Sequence, residues 1–333
     1  MITPDDIFHI GSKKEFEKIT LKVFRQQYDT NRVYQQFCQF LNKDKTNVKS
    51  ISEIPFLPIQ FFKSHDVISS NEPVQHIFTS SGTTGMQTSK HLVTDVHWYE
   101  QSYRLGFSKF YGNIEDYCVL ALLPSYLERE GSSLIYMVKD LIESSNHEDS
   151  GFYLNNHGEL LQKIQKLNKT GQNVLLIGVT YALLDVIEYA ESTLFPLWDL
   201  GSHLILMETG GMKGKRKEMI REELHAHLSA GFGVSKIHSE YGMTELLSQA
   251  YSLGDGIFEC PAWMQVLIRD TEDALSYVAA GKTGGINIID LANINSCAFI
   301  ATQDLGKKYP NHSFEVLGRF DHSDIRGCNL MVV

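Results

Sequence analysis

The sequence has few of the residues and runs that mark several large classes of protein. It contains five cysteines in 333 residues and no C-x-x-C pair, so neither a disulfide framework nor a zinc site is expected. An odd cysteine count in a large chain is typical of a reducing cytosol. No apolar run approaches the roughly 18 residues that span a bilayer, and no basic segment followed by an apolar stretch opens the sequence. These absences predict a cytoplasmic protein without a membrane span.

Basic residues are also in short supply. Lys and Arg number 30 against 40 Asp and Glu, which gives a net charge of −10. Such a chain lacks the broad electropositive face that non-specific nucleic-acid binding needs, so no nucleic-acid partner is expected. The basic run at 213–217 could belong to a nucleic-acid site, but the solvated start of a helix explains it at least as well. Hydrophobic residues at 43% and charged residues at 21% predict a globular chain with a sizeable core.

Predicted strands and helices alternate along the middle of the sequence. The predicted strands are 117–123, 174–179, 203–207 and 237–239, and the predicted helices are 132–142, 181–189 and 217–228. Before these elements, apolar residues recur at helical spacing over 12–45. After them, strand-like runs follow at 264–268, 285–290 and 314–317. The alternation predicts an α/β fold with parallel sheets flanked by helices, and the later runs predict a smaller β-rich subdomain.

Hydroxyl and glycine residues alternate in one short segment after a predicted strand. This hydroxyl loop comprises Thr79, Ser80, Ser81, Gly82, Thr83, Thr84 and Gly85. Successive backbone N–H groups of such a loop can surround an anion without interference from Cβ atoms, and the hydroxyls can donate as well. An ordinary polar turn is the competing interpretation, and no Gly-Lys-Ser/Thr closes the segment as in a Walker loop. On these residues alone, both interpretations stay open.

Three further motifs follow in order. Residues 239–245 read Ser-Glu-Tyr-Gly-Met-Thr-Glu, residues 301–306 read Ala-Thr-Gln-Asp-Leu-Gly, and residues 317–321 read Leu-Gly-Arg-Phe-Asp. Together with the hydroxyl loop, they resemble the motifs of the adenylate-forming superfamily of acyl-CoA synthetases, adenylation domains and luciferases. The resemblance implies the large N-terminal domain of that fold over residues 1–320, with a β-rich subdomain over about 257–320. Residues 321–333 would form a hinge remnant and tail.

The resemblance implies that the chain converts a carboxylic acid and ATP into an acyl-adenylate and pyrophosphate. The hydroxyl loop would hold the β- and γ-phosphates. In the signature that contains Tyr241 and Gly242, Tyr241 would stack on adenine, Thr244 would donate to the α-phosphate, and Glu245 would bind Mg²⁺. Plainer alternatives are a Glu245 that lies in the first turn of a helix and a Tyr241 that belongs to the core.

The remaining motifs are implied to contact the rest of the nucleotide. Asp304 would accept hydrogen bonds from the ribose hydroxyls, and Arg319 would contact the same ribose or the phosphate. Gly210 and Gly211 follow a predicted strand and would line the adenine and acyl pocket. An ordinary turn is the alternative for the two glycines, as it is for Asp304.

The end of the sequence departs from most of the superfamily. It stops 14 residues after Arg319, where most members carry a further small domain that supplies a lysine, so that domain is expected to be absent. The LuxE-type acyl-protein synthetases resemble this truncated plan and pass the acyl group to a cysteine near their own C-terminus. Cys328 is the candidate here, because a thiolate is a strong nucleophile. The alternative is an incidental apolar residue in a final strand.

The leading prediction is a ligase that uses ATP and Mg²⁺ and transfers an acyl group to Cys328, coenzyme A or a carrier protein. Its expected partners are a fatty or aryl acid and an acyl-accepting protein, a reductase or a separate small-domain subunit. A non-catalytic nucleotide-binding subunit that scaffolds a reductase or biosynthetic complex is the alternative. His91, His238 and His322 lie near motifs as candidate bases, and no spacing singles one out.

Overall fold

The computed structural model describes residues 2–80, 88–123, 131–196, 200, 203–210 and 219–320. Within these residues the chain forms two compact units. The first unit contains the described residues of Met1–Val74, His91–Thr94 and Ala262–Val333. The second unit contains those of Gln75–Lys90 and Asp95–Pro261.

The described part of the chain contains both α-helices and β-strands, with two short 3₁₀ turns at Ile51–Glu53 and Ile114–Asp116. The helices are α1 Pro4–Phe8, α2 Lys13–Thr30, α3 Arg32–Phe40, α4 Phe61–Ser64, α5 His97–Tyr111, α6 Ser133–Ser145, α7 His157–Thr170, α8 Thr180–Thr193 and α9 Arg221–Phe232. The strands are β1 Leu57–Pro58, β2 His76–Thr79, β3 Lys90–Val93, β4 Tyr117–Leu122, β5 Gly151–Phe152, β6 Asn173–Gly178, β7 Leu204–Glu208, β8 His238–Tyr241, β9 Ala250–Ser252, β10 Ile257–Glu259, β11 Met264–Arg269, β12 Thr283–Asp290, β13 Phe299–Lys308 and β14 Phe314–Arg319.

The second unit is built on a parallel sheet in the order β5-β4-β6-β7-β8. Leu176 of β6 pairs with Leu120 on one side and Leu206 on the other. Strands β4 and β6 are continuous apolar runs and are buried almost throughout, as expected for strands covered on both faces. The predicted parallel sheet is therefore confirmed. Strand β9 adds antiparallel to β8, and β10 adds antiparallel to β9.

Helix α5 gives the second unit an aromatic layer. Tyr99, Tyr103, Phe107 and Tyr111 recur at intervals of four, which places them on one helix face, and all four are buried. Edge-to-face packing of Tyr99 on Tyr103, with ring centroids 4.9 Å apart, adds to the apolar burial. On α5 this layer also includes Ser102, whose hydroxyl lies 2.9 Å from that of Ser248.

The first unit is built on an antiparallel sheet in the order β11-β12-β13-β14, with β1 parallel to β13. Strand β13 is central and carries Phe299, which stacks on Tyr34 of α3 with ring centroids 5.8 Å apart. Phe24 of α2 meets the same ring edge-on at 6.3 Å. The N-terminal helices are therefore packed against the late β-strands of the sequence.

Gln27 of α2 joins this helix to the loop between β12 and β13. Its Nε2 donates to the carbonyl oxygens of Asn293 at 3.0 Å and Ile294 at 2.9 Å, and its Oε1 accepts from the amide of Ala298 at 2.9 Å. Gln27 is fully buried, so the three bonds replace the water contacts that these backbone groups lose on folding.

The predicted elements agree with the observed ones to within a few residues where both exist. The helical region at 12–45 forms α2 and α3, and the predicted strands at 264–268, 285–290 and 314–317 correspond to β11, β12 and β14. The division into residues 1–320 and a tail at 321–333 remains a prediction, because the tail lies outside the described residues.

Candidate functional site

The base of the hydroxyl loop stands at the end of β2. The amide of Thr79 donates to the carbonyl oxygen of Gly131 at 2.8 Å. The amide of Ser80 donates to the carbonyl oxygen of Ser89 at 3.1 Å, and the amide of Ser89 donates to Ser80 Oγ at 2.9 Å. These reciprocal bonds close the loop between residues 80 and 89. Ser81 to Gly85 lie outside the described residues.

Gly131 supports this base from a neighbouring segment, a role that sequence reasoning did not find. Its φ of +85° favours glycine, and a Cβ there would lie 2.9 Å from Thr79 Oγ1 and 3.0 Å from the carbonyl oxygen of Ile77. Gly131 thus allows close approach of two backbone segments behind the hydroxyl loop.

The signature at 239–245 turns sharply at the carboxyl end of β8. Tyr241 is buried and packs against Phe258 with ring centroids 5.9 Å apart. The amide of Leu246 donates to the carbonyl oxygen of Met243 at 3.0 Å, so Thr244 and Glu245 occupy a tight turn. Glu245 is buried, whereas Thr244 is half-buried. The alternative placement of Glu245 in the first turn of a helix is wrong, because the described chain is a turn there.

Glu245 is the residue that fits the implied Mg²⁺. A carboxylate oxygen is the ligand this ion prefers, and Mg²⁺ that accompanies a nucleotide is usually held by one or two carboxylates together with substrate phosphates. Among the described residues, no group of three or more His, Cys, Asp or Glu side chains could hold a metal alone.

The glycine turn after β7 is held by Glu208, which sequence reasoning missed. Gly210 has a φ of +72°, and its amide donates to Glu208 Oε2 at 2.6 Å. The Oε1 atom of Glu208 lies 3.7 Å from His225 Nε2. Burial opposes ionisation of Glu208, but His225, Ser239 and the Gly210 amide leave its pKa below the usual value. An acidic residue directly before Thr-Gly-Gly is the sequence feature that could have identified Glu208.

Glu240 faces the opposite electrostatic situation. Burial, together with the nearby Glu208 carboxylate, raises the pKa of Glu240 to about 8. Its side chain is therefore mostly protonated at neutral pH. A neutral carboxyl can donate one hydrogen bond as well as accept others.

We expect the raised pKa of Glu240 to appear in the pH dependence of stability. The folded chain keeps a proton that the unfolded chain releases, so the free energy of unfolding should fall as pH rises from about 4.5 to about 8. In a Glu240→Gln variant this part of the fall should be absent. Denaturant unfolding of both proteins at pH 5 and pH 8 measures the difference, and equal slopes for the two would contradict it. The lowered pKa of Glu208 acts below this window.

Asp304 and Arg319 meet in the first unit. They are paired across β13 and β14, and Arg319 Nε donates to Asp304 Oδ1 at 3.2 Å. The Asp304 side chain is 10% exposed, whereas that of Arg319 is 81% exposed. A buried carboxylate beside an exposed cation can exchange that partner for the hydroxyls of a sugar.

A β-bulge positions Asp304. Asn287 of β12 pairs with Ala301 and Gly285 pairs with Leu305, so residues 302–304 stand opposite Ile286 alone. Bulges of this kind redirect side chains near functional sites. The amide of Asp304 donates to Thr302 Oγ1 at 3.1 Å, and that hydroxyl donates to the carbonyl oxygen of Ile286 at 2.9 Å.

Arg269 fills the bulge, and sequence reasoning did not find it. Its guanidinium donates to the carbonyl oxygens of Ile286 at 2.8 Å and Thr302 at 2.6 Å, and to Asn287 Oδ1 at 2.8 Å. It also lies 5.5 Å from the ring centroid of Phe320, the residue after Arg319. A Cβ on Gly285 would overlap the guanidinium. Arg269 thus joins β12 to β13 at the bulge that precedes Asp304.

The two described histidine candidates have side-chain partners. His91 is buried, and its Nε2 lies 3.0 Å from Asn293 Oδ1. His238 Nδ1 lies 3.3 Å from the hydroxyl of Tyr111, and burial lowers the pKa of His238. His322 lies outside the described residues.

The structure distributes the predicted site residues between the two units. Thr79, Ser80, Gly210 and the residues of the 239–245 signature belong to the second unit, whereas Asp304 and Arg319 belong to the first. Gly211 and Cys328 lie outside the described residues. No helix in the described ranges is both long and apolar enough to cross a bilayer.

Comparisons with solved structures identify the fold. The chain is similar to 2-hydroxyisobutyryl-CoA ligase, solved in an open conformation with 2-HIB-AMP and CoA, at a TM-score of 0.68 and 12% identity over 96% of this chain and 78% of that one. It is similar to MatB from Rhodopseudomonas palustris at a TM-score of 0.52 and 17% identity over 73% of this chain and 47% of that one. The fold is that of adenylate-forming ligases.

Comparisons of sequence identify the family. The chain is 23% identical over 355 residues to the long-chain-fatty-acid–luciferin-component ligase of Aliivibrio fischeri. The aligned region covers 99% of this chain and 91% of the relative. The ligase of the same name from Vibrio harveyi is 20% identical over 98% of this chain and 92% of the relative. The family model for the acyl-protein synthetase LuxE matches residues 8–102 and 140–333. The chain therefore belongs to the LuxE family of acyl-protein synthetases.

Proposed function

We propose that this protein uses ATP to activate a fatty or aryl acid as its acyl-adenylate, and then transfers the acyl group to a thiol. The observation that carries the proposal is the placement of two motif turns at one sheet edge. The Gly210 turn follows β7 and the Thr244–Glu245 turn follows β8, and these parallel strands are adjacent, with Glu208 paired to Ser239. Ligands of open α/β sheets bind at the carboxyl ends of such strands.

The names of the similar proteins support the same chemistry. The relatives from Aliivibrio fischeri and Vibrio harveyi are named as ligases of long-chain fatty acids. The structurally similar CoA ligase was solved with 2-HIB-AMP and CoA. An acid, an adenylate and a thiol are thus the chemical classes expected here.

In the first step a carboxylate oxygen of the acid forms a bond to the α-phosphorus of ATP. The bond from that phosphorus to the bridging oxygen breaks, and pyrophosphate leaves. The hydroxyl loop, of which Thr79 and Ser80 are described, holds the β- and γ-phosphates. Thr244 donates to an oxygen of the α-phosphate, and Glu245 would hold Mg²⁺, which neutralises phosphate charge when bound. Positioning and electrostatic stabilisation supply most of the acceleration in such transfers.

In the second step a thiolate attacks the acyl carbonyl carbon, and the carbon–oxygen bond to AMP breaks. The products are a thioester and AMP. Cys328 is the proposed acceptor within the chain, and coenzyme A or a carrier-protein pantetheine are the acceptors that would replace it. The partner of the enzyme is then a protein or reductase that consumes the thioester.

Acid-dependent exchange of labelled pyrophosphate into ATP tests the proposal. The purified chain should incorporate label only when a suitable acid is present, because exchange requires a reversible adenylate. ATP binding without exchange for any fatty or aryl acid would overturn catalysis by this chain alone.

We expect Arg269→Ala to raise the KM for ATP about tenfold, with less effect on kcat, because Asp304 then loses the support of its bulge. The increase should shrink for 2′,3′-dideoxy-ATP, which lacks the hydroxyls that Asp304 would bind. In a double variant with Asp304→Asn, the KM for ATP should rise by less than the two separate increases combined.

Arg25→Ala, which replaces an exposed arginine of α2, is the control for loss of charge. Equal KM increases for ATP and its dideoxy analogue would mean that Arg269 acts on stability alone.

A further inference from the structure

Glu208 joins three elements at the carboxyl edge of the parallel sheet in the second unit. It is the last residue of β7, and its Oε2 atom accepts from the Gly210 amide at 2.6 Å. The same oxygen lies 3.5 Å from the hydroxyl of Thr180, the first residue of α8. Its Oε1 atom lies 3.7 Å from Nε2 of His225 on α9. One carboxylate thus links the glycine turn to the helices that follow β6 and β7, all within the second unit.

The carboxylate of Glu208 is ionised although the residue is only 5% exposed. Burial opposes ionisation, but His225, Ser239 and the Gly210 amide leave the pKa of Glu208 below its usual value. A buried charge is stable only where partners compensate for the water it has lost. His225 and the glycine turn are therefore parts of one charged arrangement rather than independent neighbours.

His225 presents a buried nitrogen to this carboxylate. Its Nε2 atom has no hydrogen-bond partner in the part of the chain that the structure describes, and its side chain is 13% exposed. Buried polar atoms without such a partner are rare and call for an explanation. At 3.7 Å, Glu208 Oε1 lies within about 1 Å of hydrogen-bond distance. His225 is thus placed to act on Glu208.

The glycine turn depends on the same carboxylate for its shape. Gly210 has a φ of +72°, and its amide turns back toward the side chain two residues earlier. Glycine adopts many backbone conformations with similar ease, so an external acceptor is needed to select this one. The turn follows β7 beside the Thr244–Glu245 turn after β8, where the proposed function places the nucleotide. A shift of about 1 Å at such a place is enough to weaken binding or catalysis strongly.

We propose that Glu208 and His225 are positioning residues for the nucleotide. His225 orients the Glu208 carboxylate, and that carboxylate holds the Gly210 turn against the adenosine part of ATP. This inference rests on the proposed function, because it takes the site of adenylation as the place where the nucleotide binds. Neither side chain is assigned a contact with the reacting atoms, so the expected effect is on nucleotide affinity rather than on the chemical step.

Substitution of His225 tests the proposal in the pyrophosphate exchange assay. His225→Leu should raise the KM for ATP about tenfold, the loss expected for one interaction with a charged group. The KM for pyrophosphate should stay within about twofold of wild type, because the hydroxyl loop holds that part of the nucleotide. His225→Gln keeps an N–H donor and should keep most of the affinity for ATP. His227→Leu, at an exposed position of the same helix, is the control.

A double variant tests whether His225 acts through Glu208. Glu208→Ala should raise the KM for ATP at least as much as His225→Leu does. Adding His225→Leu to Glu208→Ala should then have little further effect, because the residue through which His225 acts is already gone. Independent, fully additive increases would overturn the assignment of His225 as a positioning residue.

Calorimetric titration with AMP, without acid or pyrophosphate, separates this inference from the proposed function. Weaker AMP binding by folded His225→Leu than by His227→Leu supports the inference even if no acid supports exchange. Equal AMP affinities in these two variants, or a parallel rise in the KM for ATP and for pyrophosphate, would overturn it while leaving adenylation intact. If His225→Leu does not fold, Glu208→Gln makes the same test, because it keeps an acceptor for the Gly210 amide and removes the charge that His225 faces.

Discussion

Glu245→Ala should lower acid-dependent pyrophosphate exchange by at least about a hundredfold, the loss typical of removing one group that stabilises transition-state charge. Glu245 is buried in the turn after β8, and the implied Mg²⁺ has no cluster of three acidic, histidine or cysteine ligands among the described residues. Glu245→Gln keeps the shape and removes the charge, so it should lose nearly as much.

Exchange rates at saturating acid measure this loss, and circular dichroism shows whether each variant is folded. Glu259→Ala removes an exposed glutamate at the end of β10 and should leave exchange within about threefold of wild type, as surface changes usually do. If folded Glu245→Ala exchanges at a rate near that of Glu259→Ala, the charge on Glu245 does not serve adenylation.

Cys328→Ser should abolish covalent labelling of the protein by a radioactive acid while sparing pyrophosphate exchange. A serine hydroxyl is a far weaker nucleophile than a thiolate at neutral pH, so the second step stops and the first continues. Labelled protein is measured after denaturation, and release of the label by neutral hydroxylamine identifies a thioester.

Cys260→Ser is the matched control for this change, because Cys260 is a partly exposed cysteine in the described part of the chain. It should leave both activities intact. Labelling that persists in Cys328→Ser would place the acyl group on another residue. Exchange without labelling in the wild-type protein would direct the second step to coenzyme A or a carrier protein.

The parallel sheet could be predicted from the sequence because its strands β4, β6 and β7 are mostly apolar runs. Residues 174–179 were predicted as a strand and form β6 over Asn173–Gly178. Helix α5 was not predicted, although its aromatic residues recur at intervals of four. Aromatic side chains favour strands in general. The residues of α5 form a helix because their aromatic face packs against the sheet, which the sequence alone does not show.

The motif residues could be predicted, whereas the residues that support them could not. Tyr241, Glu245 and Asp304 stand in recognisable short motifs, which is why a sequence pattern finds them. Arg269 lies 35 residues before Asp304 in the sequence and reaches the bulge beside it only because β11, β12 and β13 are neighbours. Glu240 lies within a motif, but its protonation depends on burial and on Glu208 from another strand. Contacts of this kind arise from tertiary structure.

The composition of the first unit has a consequence for synthesis on the ribosome. Gln27 is made early, yet its three partners are the backbone groups of residues 293, 294 and 298. Gln27 therefore waits for more than 260 further residues before its partners are made, whereas nearly all of the second unit is a single stretch, Asp95–Pro261, completed first. Domains generally fold as units as they are synthesised. A chain that stalls near residue 261 would thus expose the part of α2 that Phe299 and residues 293–298 cover, which is the surface a chaperone or protease would encounter.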